Sequence, residues 1–176
     1  MANPIDTVFG YLNSLTNKRD AVAVSRAMES VYPRNKVVNI TSATQSVNEL
    51  QHGLGRMVTL NRAAGIAVTL PASTGLGMKF RFFIGTTVTS NSTTIKVANA
   101  SDTMSGVAIQ AADGGATSNA WETGASDDTI TFNGTTTGGI KGDYIELEDV
   151  ALNVWSVRLV GAATGAEATP FSATVS

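Results

Sequence analysis

The sequence predicts a mainly β protein: a β-sandwich or β-barrel-like body of about seven to nine short antiparallel strands over residues 37–176, preceded by a partly helical arm at residues 1–36. Three observations predict it. Short strand-like segments recur along the body, divided by clusters of Gly, Asn, Ser, Thr and Asp. Several of them alternate apolar and polar residues with a period of two. The first 36 residues follow a different, helical spacing.

In the arm, Ile5, Val8, Phe9, Leu12 and Leu15 recur at helical intervals, and Pro4 suits a first helical turn, so residues 4–15 read as a short amphipathic helix. A second helix is expected over Asp20–Val31, with Val24, Ala27, Met28 and Val31 on one face, ended by Pro33. The arm carries five basic residues (Lys18, Arg19, Arg26, Arg34, Lys36) against three acidic ones (Asp6, Asp20, Glu29). Its net charge is therefore +2, which leaves −4 for the body of a chain whose total is −2. Helices this short are marginal alone in water. They either pack on the body or order on a partner.

The body opens with a strand at Lys36–Ile40, and further strands are expected at Arg56–Leu60, Ala67–Leu70, Lys79–Ile84, Thr93–Val97, Asp128–Phe132, Asp143–Asp149 and Val154–Val160. In Asp143–Val150, Ile145 and Leu147 share one face while Tyr144, Glu146 and Glu148 share the other. In Val154–Leu159, Trp155, Val157 and Leu159 share a face, and the short link Ala151–Asn153 predicts a hairpin between these two strands. Thr87–Lys96 reads as another hairpin turning near Ser90–Asn91–Ser92. Residues 111–128 read as one long loop, a length that usually has a function or is mobile.

Composition narrows the function. Charged residues make up 15% of the chain, below the roughly 25% of an average soluble protein. A net charge of −2 lacks the electrostatic footprint of a nucleic-acid binder, so no nucleic-acid partner is expected. The interleaved Phe80, Arg81, Phe82 and Phe83 are those of a strand with one face in the core. The absence of cysteine removes disulfides and thiolate metal sites; with no apolar run long enough to span a membrane and no signal-peptide pattern, the expectation is synthesis in the cytoplasm without a membrane partner.

Catalytic chemistry is sparse. His52 is the one imidazole and reads as a surface or turn residue. The carboxylates Asp143, Glu146, Glu148 and Asp149 divide between two strand faces and do not converge as calcium ligands without a bend; they read as solvated faces and caps. Gly75–Leu76–Gly77 lacks the third glycine and following helix of a phosphate cradle. No catalytic residue, cofactor or metal is expected, and the chain reads as a structural protein rather than an enzyme. A hydrolase using Glu146 and Glu148 as a carboxylate pair would need a cleft that the sequence does not display.

Three stretches resemble the head decoration, or cement, proteins of tailed bacteriophages. They are Gly53–Gly77, read from His52 as HGLGRMVTLNRAAGIAVTLPASTGLG; Lys79–Ala98, KFRFFIGTTVTSNSTTIKVA; and Gly142 to the C-terminus, where GDYIELEDVALNVWSVRLVG precedes ATGAEATPFSATVS. The resemblance covers about half the chain, excludes the arm, and rests on structural phrasing rather than a catalytic motif. It implies a β-rich protein of the virion surface, a homotrimer that binds the outside of the capsid and clamps neighbouring copies of the major capsid protein. Ile5, Val8, Phe9 and Leu12 are then the expected capsid or subunit contacts. The alternative is a tail-fibre or receptor-binding module that stacks a host glycan on Trp121 in the long loop.

Overall fold

The computed structural model describes residues 37–175, and the arm with Ile5, Val8, Phe9 and Leu12 lies outside them. Twelve strands and one short helix follow in order: β1 (Val37–Ile40), β2 (Thr44–Ser46), α1 (Glu49–His52), β3 (Met57–Leu60), β4 (Ala67–Thr69), β5 (Lys79–Ile84), β6 (Thr93–Lys96), β7 (Thr103–Ala111), β8 (Ser118–Glu122), β9 (Thr129–Phe132), β10 (Tyr144–Ala151), β11 (Val154–Ala162) and β12 (Phe171–Ser172). They form a seven-stranded sheet ordered β1-β3-β5-β10-β11-β7-β8 and a five-stranded sheet ordered β12-β9-β6-β4-β2.

The expected all-antiparallel body is corrected: both sheets are mixed. Strands β1, β3 and β5 are mutually parallel, as are β2, β4 and β6, and β7 runs parallel to β11. The cause is the path of the chain. From β1 to β6 it crosses from one sheet to the other after every strand, so each return to a sheet lays the new strand beside the previous one in the same direction. The corners stack in the same way: Asn61 N–H donates to the Ile40 carbonyl at 2.8 Å, and Gly85 N–H to that of Leu60 at 2.9 Å. This half of the body is a short two-sided coil of strands, closed by the antiparallel strands β9 to β12.

Two loop assignments also change. Thr87–Ser92 is not a strand paired with β6; Val88 N–H bonds Gly139 and Thr89 N–H bonds Ala63, tying the segment to two loops instead. Residues 111–128 are not one long loop. Strand β7 runs to Ala111, a 3-10 turn spans Asp113–Gly115, and β8 returns antiparallel along β7. The hairpin between β10 and β11 forms as expected, with Asn153 at φ 62° in its turn.

Alternation decides what is buried. Phe80, Phe82 and Ile84 from β5, Ile145 and Leu147 from β10, and Trp155, Val157 and Leu159 from β11 point inward from the larger sheet. They meet Val68, Ile95, Ile130 and Phe132 of the smaller sheet in one apolar cluster. The rings of Phe80 and Trp155 lie 5.8 Å apart.

Candidate interaction surface and the buried carboxylates behind it

The inward side of β10 carries a carboxylate at each end. Asp143, Ile145, Leu147 and Asp149 share one parity, so both aspartates are buried with the core residues rather than solvated as expected. Each is satisfied by a loop. Asp149 accepts from the Ser73 hydroxyl (2.7 Å), the Thr74 hydroxyl (3.0 Å) and the backbone N–H groups of Thr74, Gly75 (2.6 Å) and Leu76 (3.2 Å). Burial raises the pKa of Asp149, but the bonds from Ser73, Gly75 and Thr74 together outweigh it and hold the group below its ordinary value. At the other end Asp143 accepts from Gly139, Ile140 and Ala162 N–H at 2.7–3.0 Å. There desolvation wins and the pKa is raised despite those bonds.

Two further aspartates do similar work. Asp102 accepts Ser73 N–H and the Asn99 amide, both at 3.0 Å. Asp128 accepts Thr174 and Val175 N–H and fastens the C-terminal tail. Asp128, Asp143 and Asp149, each accepting two or more backbone N–H groups, fix the loops that supply them, whereas Asp102 uses one oxygen only and its buried Oδ1 has no hydrogen-bond partner among the described residues.

The loop that Asp149 and Ser73 fix lies against the β10–β11 hairpin. Thr74 bridges Leu152, and a side chain at Gly75 would press on the Ala151–Leu152 backbone 3.2 Å away. The result holds Leu76 84% exposed, Leu152 70% and Val150 51%. On the neighbouring strands, Leu50 and Leu54 around α1 are also exposed, as is Val37 at the start of β1. Helix α1 is tied to this end by Arg56, which donates to the Leu50 carbonyl at 2.6 Å, and by Arg81, which donates to that of Gly55. The register places Leu50, Leu54, Leu76, Val150 and Leu152 in or beside the turns at one end of the larger sheet, whereas Val37 lies on the outer face in the row of Arg81, Glu146, Arg158 and Val107.

The residues singled out from the sequence fall elsewhere or into other roles. Trp121 sits on the ordered strand β8, opposite Ala108, half-buried against the core. Glu146 accepts from the Tyr144 hydroxyl at 3.1 Å, and Glu148 pairs with Lys79 at 2.9 Å, both on the outer face of the sheet. Among the described residues, no three His, Cys, Asp or Glu side chains converge as metal ligands. His52 is buried rather than at the surface; its Nδ1 accepts Asn48 N–H at 3.2 Å, so the neutral ring carries its proton on Nε2.

Desolvation lowers the His52 pKa, aided by Arg56. A histidine with a lowered folded-state pKa contributes full stability above its ordinary value of 6.5, and the contribution falls as pH drops from there to the lowered value. Melting midpoints should therefore decline on going from about pH 7 to about pH 5, and His52→Gln should flatten that part of the profile.

No protein-family model matches the chain, and neither the curated proteins nor the solved structures contain a significant match. The fold defines a β-rich protein of two mixed sheets.

Proposed function

We propose that the protein is a structural component of a phage virion, a homo-oligomer that binds the outside of the capsid and stabilises the head by bridging neighbouring major-capsid subunits. The observation that carries this reading is where the polar chemistry goes. The buried aspartates described above are bound to backbone N–H groups of loops, while the outward carboxylates Glu146 and Glu148 are engaged by Tyr144 and Lys79. The polar groups are spent on a stiff scaffold with an apolar end, which suits a chain whose task is contact. The family resemblance of the body sequence supports the same reading. The glycan-binding alternative loses its main premise, because Trp121 lies on a paired strand rather than on a long loop.

Capsid attachment is assigned to the arm, through Ile5, Val8, Phe9 and Leu12. The full chain mixed with undecorated heads should co-sediment saturably. Removing residues 1–36 should leave the cooperative melt of the β body intact and abolish co-sedimentation. A truncated body that still decorates heads at full occupancy would overturn the role of the arm.

A further inference from the structure

We infer that His52 is a proton-sensitive anchor: when its ring takes up a proton, α1 and the turn to β3, residues 48–55, come away from the larger sheet while the two sheets stay folded.

The segment depends on this one side chain. Among the residues of α1, His52 alone is buried; Glu49, Leu50 and Gln51 are exposed, as are Asn48 before the helix and Leu54 and Gly55 after it. Gly53 is buried but brings no side chain. A single helical turn does not hold itself in water. Its internal bonds, His52 N–H to the Asn48 carbonyl and Gly53 N–H to that of Glu49, both at 2.9 Å, therefore need an outside anchor. The imidazole acts at both ends of the turn, buried at the C-terminal end and accepting Asn48 N–H at the N-terminal end through Nδ1. The other ties are long side chains from outside the helix, Arg56 to the Leu50 carbonyl and Arg81 to that of Gly55.

A proton undoes the anchor. It comes from solvent and settles on Nδ1, the ring's one lone-pair nitrogen, since Nε2 already carries hydrogen. The imidazolium Nδ1–H then faces Asn48 N–H, and a bond becomes two opposed donors. The new charge is also cut off from water. The charged residues around it are Glu49 on α1, Arg56 on the turn to β3, and Lys79 and Arg81 on β5, the strand against which α1 packs. Three of the four are cations, Glu49 is exposed, and the Lys79 charge is paired with Glu148. Burial and the Arg56 charge accordingly hold the ring's pKa below its ordinary 6.5. The closed form is favoured in full above 6.5 and loses that advantage as pH falls towards the lowered value, because a hydrated ring takes the proton more readily.

The opening stays local. Upstream, Val47 lies in the core and its N–H is bonded to the Thr69 carbonyl at 2.9 Å. Downstream, β3 lies between β1 and β5 in parallel ladders. These strands keep their partners whether or not α1 is seated. Releasing a segment that buries little besides one imidazole exposes far less apolar surface than parting the sheets around Phe80 and Trp155, so it is the cheaper way to hydrate the ring.

The test is hydrogen exchange read by mass spectrometry on the full chain at about pH 7 and about pH 5, each corrected for the intrinsic rate at that pH. Protection across residues 48–55 should fall by about tenfold or more at the lower pH, while that of β5, β10 and β11 is kept. His52→Gln keeps an acceptor and takes no charge, so it should show no such fall. His52 is the one imidazole in the chain, so its nuclear magnetic resonance titration is read directly, and its midpoint should coincide with that of the loss of protection. Should His52→Gln be open already at neutral pH, this coincidence decides. Unchanged protection at the lower pH, an equal fall across the whole body, the same fall in a folded His52→Gln, or two separate midpoints overturns the inference.

Discussion

Asp149→Asn lowers the melting midpoint by roughly 5–20 °C. An amide cannot accept on its nitrogen, so either orientation sets one backbone N–H, that of Gly75 or of Leu76, against an N–H2 group, and loss of the charge weakens the bonds that remain. The opposed donor costs about 1–3 kcal/mol. With the weakened bonds the sum is about 2–6 kcal/mol, and a domain of this size shifts by about 2–4 °C per kcal/mol. The same variant should alter acid stability. Because the folded-state pKa of Asp149 lies below its ordinary 3.8, its contribution is complete above 3.8 and is lost as pH falls through the lower folded value. That loss should be missing from the variant. Asp143 acts with the opposite sign, its contribution being complete below 3.8 and lost as pH rises through the raised value. Thermal melts of both proteins between about pH 2 and pH 7 check the account. An unchanged midpoint at neutral pH would mean that the loop at Ser73–Leu76 is not held by this carboxylate.

Trp155→Ala should cost about 3–5 kcal/mol by opening a cavity between the sheets. Trp155 has no exposed surface, packs on Phe80, and lies in register with Met104 on one side and Asp149 on the other. Trp155→Phe should cost less than half as much. Its indole Nε1 has no hydrogen-bond partner among the described residues, so phenylalanine removes an unsatisfied donor along with the lost volume. Urea titrations of the three proteins give the comparison. Equal losses for Ala and Phe would show that the indole N–H is engaged in solution.

The strands that were legible in the sequence are those that alternate cleanly and turn sharply. Strands β10 and β11 alternate over eight and nine residues around a turn with a left-handed asparagine, and both their faces and their pairing could be read. The parallel ladders could not. Val37 pairs with Met57 and Met57 with Arg81, rungs of 20 and 24 residues, while Thr44 to Ala67 to Thr94 spans 23 and 27. Unequal rungs leave no fixed repeat to detect. Strand β7 was hidden by Gly106, where an added side chain would run into the Val157 backbone, and β2 and β12 are too short to show a period. The buried aspartates did leave a signal. Asp143 and Asp149 share the parity of Ile145 and Leu147, which placed them on the core face, although aspartate composition argued for solvent. The exposed aliphatic residues at that end of the sheet were not visible as a group because they come from three separate turns that only the register brings together.

A cryo-electron microscopy map of the virion encoded with this chain tests the central claim most directly. The account predicts two-sheet bodies on the outer capsid surface, clustered about a symmetry axis, each cluster bridging adjacent major-capsid subunits. Density for the chain at the tail tip, or a virion that lacks it altogether, would contradict the account.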